Sequence, residues 1–292
     1  MQYTPAEKAF PIRQPSTANL MIDSADRPPI IDLSGDDISS PWDFQISKKQ
    51  SILNGFFTRI GTTEVVLEWC EPNINALYDT DTITFDLSGT GANTYVGTQT
   101  IVLTDGFYTI ETLLDTLVTQ LNDLSGTTGM TFSVVTTAGV VALVSTGGDF
   151  DVVPGTLANK LKLEKELNSN NEWYVSPCAD LRLLRYLDFV SSELTYNQDL
   201  KDNSTLVFNR DVLCRWYMAW DSPPQLDGYG FPILMGYTSF TTRRLYNPPK
   251  QIRWEPNQPL GNISFQVYDD NGELVKDTDD SQWLMTLQVS EV

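Results

Sequence analysis

Apolar and polar residues alternate with period two in short runs over much of the chain, the pattern of strands with one buried face. Trp42, Phe44 and Ile46 alternate with polar neighbours, and a longer run over 57–69 carries the β-branched Thr62, Thr63, Val65 and Val66 before Pro72 and Asn73 end it. Further strands are expected over 181–190, 205–208, 212–220, 239–246, 251–254, 263–268 and 283–289. Turn-forming runs such as Ser222-Pro223-Pro224 and Asp227-Gly228-Tyr229-Gly230 separate them. The most informative stretch is 250–272, KQIRWEPNQPLGNISFQVYDDNG. Ile252 and Trp254 alternate, a proline-studded corner interrupts, and Ile263, Phe265 and Val267 then face one way against Ser264, Gln266 and Tyr268. Asn271-Gly272 closes it with a hairpin signal, because both residues tolerate positive φ. Eight or nine antiparallel strands around one core predict a mainly β chain, a two-sheet sandwich of the jelly-roll kind.

The pattern changes over 77–172. Thr and Gly become frequent, and strands are expected over 82–87 and 99–103, with a hairpin over 132–144. Between them Ile110, Leu113, Leu114, Leu117, Leu121 and Leu124 recur at helical spacing. Thr109 is the expected N-cap, Glu111 suits the first turn and Gly126 is the expected stop. Leu157, Leu161 and Leu163 predict a short final helix. With its own apolar stripe the block reads as a small inserted α+β module, dividing the sandwich into 41–76 and 173–292. Residues 1–40 are rich in Pro, Ser and Asp and lack periodicity, so they read either as a disordered terminus or as an extended arm that orders on a neighbouring subunit.

Charge narrows the function classes. The 292 residues hold 19 basic and 38 acidic side chains, a net charge of −19. Such a chain lacks the basic face that displaces counterions from phosphates, and no direct nucleic-acid binding is expected. The acidity concentrates in the insert, where nine carboxylates between 77 and 160 face Lys160 alone, the mark of a solvated surface. No run of about 18 apolar residues is present for a membrane span, and the first residues lack the apolar centre of a secretory signal. Cys70, Cys178 and Cys214 are far apart and odd in number, which predicts reduced, mostly buried thiols in a protein made in the cytosol. The triplets at Asn203 and Asn262 match the glycosylation pattern without other support for a secretory route.

The chain has no histidine, which removes the usual general base and the commonest metal ligand. No phosphate-binding glycine loop, zinc motif or nucleophile elbow occurs, and no carboxylate pair stands out from the acidic background. Asp79-Thr80-Asp81 and the group Asp269, Asp270, Asp277, Asp279 and Asp280 lack the ligand spacing of a calcium loop. No catalytic residue, cofactor or metal ligand is therefore assigned. Aromatic residues crowd 214–220, either as a central strand buried on one face or as an exposed sugar-stacking or subunit-contact surface. Arg243 and Arg244 beside Tyr246 suit bidentate contacts to acidic partners, or partners within their own subunit.

Several segments together resemble the penton, or minor capsid, protein of virophages and polinton-like viruses. They are Asn19-Leu20-Met21-Ile22-Asp23-Ser24-Ala25-Asp26-Arg27, Pro41-Trp42-Asp43-Phe44-Gln45-Ile46, the run 227–234 and the run 250–272. The start of the insert, Asp105-Gly106-Phe107-Tyr108-Thr109-Ile110, resembles a module of capsid and fibre-associated proteins of large DNA viruses. The resemblance implies a single jelly roll, made in the host cytoplasm, that forms homopentamers at the fivefold vertices of an icosahedral virion. It implies a double jelly-roll major capsid protein as partner and an outward-facing insert. Assembly contacts are then expected at Leu20, Met21, Ile22, Arg243 and Arg244, and deletion of residues 1–40 is expected to leave a folded protein that fails to join particles. The rival reading is a host-attachment or carbohydrate-binding jelly roll, with Trp216, Trp220 and the loop 227–229 as its candidates.

Overall fold

The computed structural model describes residues 17–47, 59–89, 95–167, 169–195, 212–219, 223–253, 261–276 and 281–290. The first part of the chain supplies β1 (Thr17–Asp23), β2 (Asp43–Ser47) and β3 (Arg59–Trp69). The middle supplies β4 (Thr82–Gly89), β5 (Val96–Val102), α1 (Ile110–Asp123), α2 (Ser125–Thr128), β6 (Thr131–Thr137), β7 (Val140–Thr146), β8 (Gly148–Val153), α3 (Thr156–Leu161), β9 (Leu163–Lys165) and β10 (Glu172–Val175). The last part supplies β11 (Tyr186–Val190), α4 (Ser192–Thr195), β12 (Val212–Tyr217), β13 (Phe240–Leu245), β14 (Gln251–Arg253), β15 (Asn262–Tyr268) and β16 (Gln282–Ser290).

Two antiparallel sheets form the body. One runs β1-β16-β3-β13, with β14 also paired to β3, and the other runs β12-β11-β15-β2. Because β13 and β14 occupy successive lengths of β3, they act as one interrupted strand, leaving four positions per sheet. Pro248 and Pro249 fall in the break, where neither can donate to the ladder. Successive strands of the body alternate between the sheets, except β11 and β12, which pair side by side, and this is the order of an eight-stranded jelly roll, as the sequence pattern predicted. The insert builds its own sheets, β5-β4-β8 and β6-β7-β10-β9.

Strand alternation directs one side of each strand into the sandwich. Trp283, Met285, Leu287 and Val289 of β16 are all buried, as are Ile263, Phe265 and Val267 of β15. Trp283 is the hub: its ring meets Phe44 at 5.6 Å, Phe189 at 5.1 Å and Phe265 at 5.7 Å, all from the opposite sheet. Its indole N–H donates to the Pro41 carbonyl at 2.7 Å, and its backbone N–H donates to Ser24 Oγ at 2.8 Å. A second apolar cluster spans the insert, from Ile74 to Leu181, and takes in Phe231 and Tyr237 of the body.

Register places four connections at one end of the sandwich. Glu68, near the end of β3, pairs with Gln282 at the start of β16, and Trp69 pairs with Phe240 at the start of β13. In the other sheet, Tyr186 at the start of β11 pairs with Tyr217 at the end of β12. The β1–β2, β3–β11, β12–β13 and β15–β16 connections therefore leave together, and the insert forms the β3–β11 connection. The opposite end lies largely outside the described residues.

Several expectations change. Residues 17–23, read as part of an aperiodic arm, form β1, because Leu20 and Ile22 alternate inward and Ile22 joins the core at 2% exposure. Deleting residues 1–40 would thus remove a strand from the sheet. Asn271-Gly272 makes a tight turn with Gly272 at φ 86°, yet no sheet hairpin follows. After one bridge, Tyr268 to Leu274, the chain crosses to the other sheet, since the neighbours of β15 are β2 and β11. The strand expected over 181–190 begins only at Tyr186, and the expected helical Leu163 opens β9. Gly126 does not stop the helical run: α2 follows at once, and Gly129 at φ 66° ends it. Trp254 and the strand expected over 205–208 lie outside the described residues.

The thiols also differ from expectation, since Cys70 and Cys178 are exposed and only Cys214 is buried. Burial pushes the Cys214 thiol up to about 12. A thiol-titrating disulfide reagent is accordingly expected to label Cys70 and Cys178 in the native protein and Cys214 only after unfolding; three reactive native thiols would contradict this burial. Trp283→Ala should cost about 3–5 kcal/mol, measured as a shift in the denaturant midpoint. A loss below about 1 kcal/mol would show that the indole does not hold the sheets together.

Candidate functional site

The converging connections make one end of the molecule its richest surface, and polar contacts fix the insert there. Asn73, fully buried at the entry, exchanges two 2.8 Å hydrogen bonds with the backbone of Tyr108. Tyr78 donates to the Lys276 carbonyl and accepts from the Lys276 N–H, which ties the entry to the β15–β16 connection. At the exit, Arg182 forks onto Asp180, with Nη2–Oδ2 at 2.7 Å, and donates a further bond to the Met218 carbonyl. Burial raises the Asp180 carboxyl, but the Arg182 guanidinium outweighs it and holds the group below its ordinary value.

The fourth contact joins α1 to the β12–β13 connection. Thr109 and Thr112 form a capping box, and Asp227 adds a second cap by accepting the Glu111 N–H at 3.1 Å. A carboxylate here also faces the positive end of the helix. Asp227 Oδ1 simultaneously accepts from the Tyr229 and Phe231 N–H groups, so one side chain shapes its own loop and anchors the helix. Glu111 replies by accepting the Gly228 N–H at 2.7 Å, an approach that a Cβ at Gly228 would block. One turn later, Asp115 accepts from the Tyr229 hydroxyl at 2.6 Å. Burial first, and this carboxylate second, push the Tyr229 phenol up to about 12.

The β1–β2 connection presents the opposite chemistry. Ile30, Ile31, Leu33 and Ile38 are each more than half exposed. They sit on a small hairpin closed by the Ile38 N–H to Ile30 carbonyl bond at 2.8 Å. Asp37 accepts from the Ile30 and Ser39 N–H groups, and Asp32 from those of Ser34 and Asp36, so both ends of the turn are tied. The backbone donors of Asp36 and Ser39 hold the Asp32 and Asp37 carboxyls below their ordinary value.

Among the expected contact residues, Met21 is 65% exposed on the edge strand β1, while Leu20 is partly buried and Ile22 is core. Arg243 reaches outward from β13 and pairs with Glu64 of its own subunit. Arg244, one residue on, turns inward to lie 4.9 Å over the Trp216 ring and donates to the Ala219 carbonyl. Trp216 itself is fully buried and stacks on Phe240, so it offers no sugar platform; Trp220 lies outside the described residues. Asp269 closes its turn by accepting from the Asn271 and Glu273 N–H groups, and no group of metal-binding side chains forms among the described residues. The helices include none long and apolar enough to cross a membrane, again among the described residues.

No family model and no curated protein matches the chain. A solved structure does. It is the selenomethionine-labelled mavirus penton protein, which aligns over 96% of this chain and 100% of its own at 12% identity and a TM-score of 0.48.

The joint between α1 and its loop is directly testable. Asp227→Ala should destabilise the protein by about 1–3 kcal/mol and accelerate amide exchange at Glu111, Tyr229 and Phe231. Unchanged exchange at all three would show that Asp227 does not cap α1.

Proposed function

We propose that this chain is a structural subunit of an icosahedral virion, a penton that forms homopentamers at the fivefold vertices beside a double jelly-roll major capsid protein. The observation that carries this reading is the apolar hairpin 30–38 on the loop-rich end. Four large apolar side chains, held out by a hydrogen-bonded turn on a chain of net charge −19, form a patch of the kind that a partner covers. A turn fixed in advance loses little entropy on docking. The occupant in this reading is a neighbouring copy, met head to tail so that the contacts close a ring.

Other features support the same reading. The jelly roll is a fold of viral shells, although it also serves lectins, so the fold alone does not decide. The sequence segments that resemble penton proteins include β1 and β15, the strands at the edge and centre of the two sheets. Met21 and Arg243 remain outward and stand as contact residues in the ring, with the insert carried on the outer side. Two candidates of the lectin-like alternative are otherwise engaged, because Trp216 is core and the loop 227–229 is bound by α1, while Trp220 lies outside the described residues. No step of chemistry is proposed for the subunit.

Native mass spectrometry of the wild-type protein should show a species of five subunits, and particle reconstruction should place it at the vertices. Replacing Ile30, Ile31, Leu33 and Ile38 together by Ser should leave circular dichroism unchanged and abolish the ring. A strictly monomeric wild type absent from particles, or a Ser variant that assembles normally, would overturn the reading. Deleting residues 1–16, which spares β1, should leave the fold intact while impairing incorporation. The hairpin carries a pH signature as well. Asp32 and Asp37 have lowered carboxyl values, so their stabilisation is present above the ordinary value of 3.8 and is lost as pH falls through the lowered ones. Assembly should therefore hold through neutral and mildly acid pH and fail only below about pH 4; loss near pH 6 would implicate other groups.

A further inference from the structure

Where the insert, the segment before β11 and the β15–β16 connection meet, they enclose a cleft of about 440 Å³ lined by Lys160, Lys162, Asp180, Arg182, Arg185 and Asp270, with Thr156, Asn159 and Asn271 at its polar walls. Four of the chain's 19 basic side chains line this one hollow, in a molecule with twice as many acidic residues. The carboxylates do not neutralise them evenly. Asp180 is engaged in its fork with Arg182, which leaves Asp270 as the other anion facing three cations. Burial pushes the Asp270 carboxyl up, which weakens its hold on a full charge.

Lys160 is the sharpest sign. Its half-buried ammonium donates to the carbonyl oxygens of Arg182 and Leu183, and among the described residues it has no carboxylate within ion-pair distance. Burial lowers the Lys160 ammonium, with Asp180 and Asp270 only partly compensating. Carbonyl dipoles orient such a cation without cancelling its charge, and a partly desolvated cation with no carboxylate in direct contact gains from an anion placed beside it. Among the described residues, Lys162 and Arg185 also make no ion pair and stand exposed at the rim. The volume falls within the range of small-ligand pockets, roughly 300–1,000 Å³.

We infer that this cleft is a binding site for an oxyanion, a phosphate, sulfate or carboxylate group, either free or carried on a small polar ligand such as a sugar. Lys160 would form the floor, with its remaining proton turned to the anion. Arg182 is fixed by Asp180, which takes its Nε–Nη2 edge, and by the Met218 carbonyl on Nη1, so its charge is held in position. Arg185 and Lys162 would close over the ligand from the rim, while Thr156, Asn159 and Asn271 would meet its neutral hydroxyls. This site stands apart from the capsid reading, and neither depends on the other.

Calorimetric titration of the full chain at low salt with inorganic phosphate, inorganic sulfate, glucuronic acid and a sulfated disaccharide tests the site. At least one of the four should bind, and Lys162→Ala with Arg185→Ala should weaken that binding at least tenfold with an unchanged melting temperature. Strongest binding by an inorganic ion would identify a free-ion site, and strongest binding by a sugar would identify a glycan-borne anion. Absence of heat and of stabilisation with all four, or binding that the double variant leaves intact, would overturn the inference. Should the double variant fail to fold, the arginine Nε–Hε signals of the wild type decide: that of Arg185 must shift on adding phosphate or sulfate.

Discussion

The contact between Trp283 and the three phenylalanines of the facing sheet is the constraint on which the rest of the molecule depends. Phe44, Phe189 and Phe265 come from three different strands, and the indole touches all of them. Its two N–H groups reach Ser24 and Pro41, which bracket the β1–β2 connection. One residue therefore sets the spacing of the sheets and fixes where the exposed hairpin 30–38 leaves the body. Trp42 and Trp69 pack nearby with their rings tilted, extending the aromatic layer to the end that carries the insert.

The insert depends on that end in turn. Its apolar core is not closed by its own residues, because Phe231 and Tyr237 from the β12–β13 connection complete it. The Tyr237 hydroxyl accepts the Leu181 N–H at 2.8 Å, so the same side chain fills the core and holds the exit segment. Polar stitches at Asn73, Tyr78, Asp227 and Arg182 then fix its orientation. Contacts from both its entry and its exit thus join the module to the loops of one sandwich end.

Much of the body was legible in the sequence because period-two alternation and burial express the same fact. The inward residues of β2 and β15, and the stripe of α1, were readable one by one, whereas β3 and β16 were readable as strand ranges. Legibility failed where a partner far along the chain decides the outcome. β1 carries only Leu20 and Ile22 as inward positions, too short a pattern to separate from an arm without its partner β16. Glu111 and Gly228 are 117 residues apart, and nothing local marks their bond. The basic cleft was hidden for the same reason: Lys160 read as a lone cation in an acidic block, while Arg182 and Arg185 belong to another segment. The Asn271-Gly272 turn was local and correctly read, but the destination of the following strand is a property of the sandwich.

The pairing of β1 with β16 has a consequence for synthesis. Thr17 lies opposite Ser290, so the edge of one sheet closes between residues at far ends of the described chain. Such closure is entropically slow and cannot begin on a ribosome until β16 has emerged. Before then Ile22 has no core to enter, and the strands beside the β16 position lack their central neighbour. A nascent or truncated chain consequently cannot present the finished end of the sandwich.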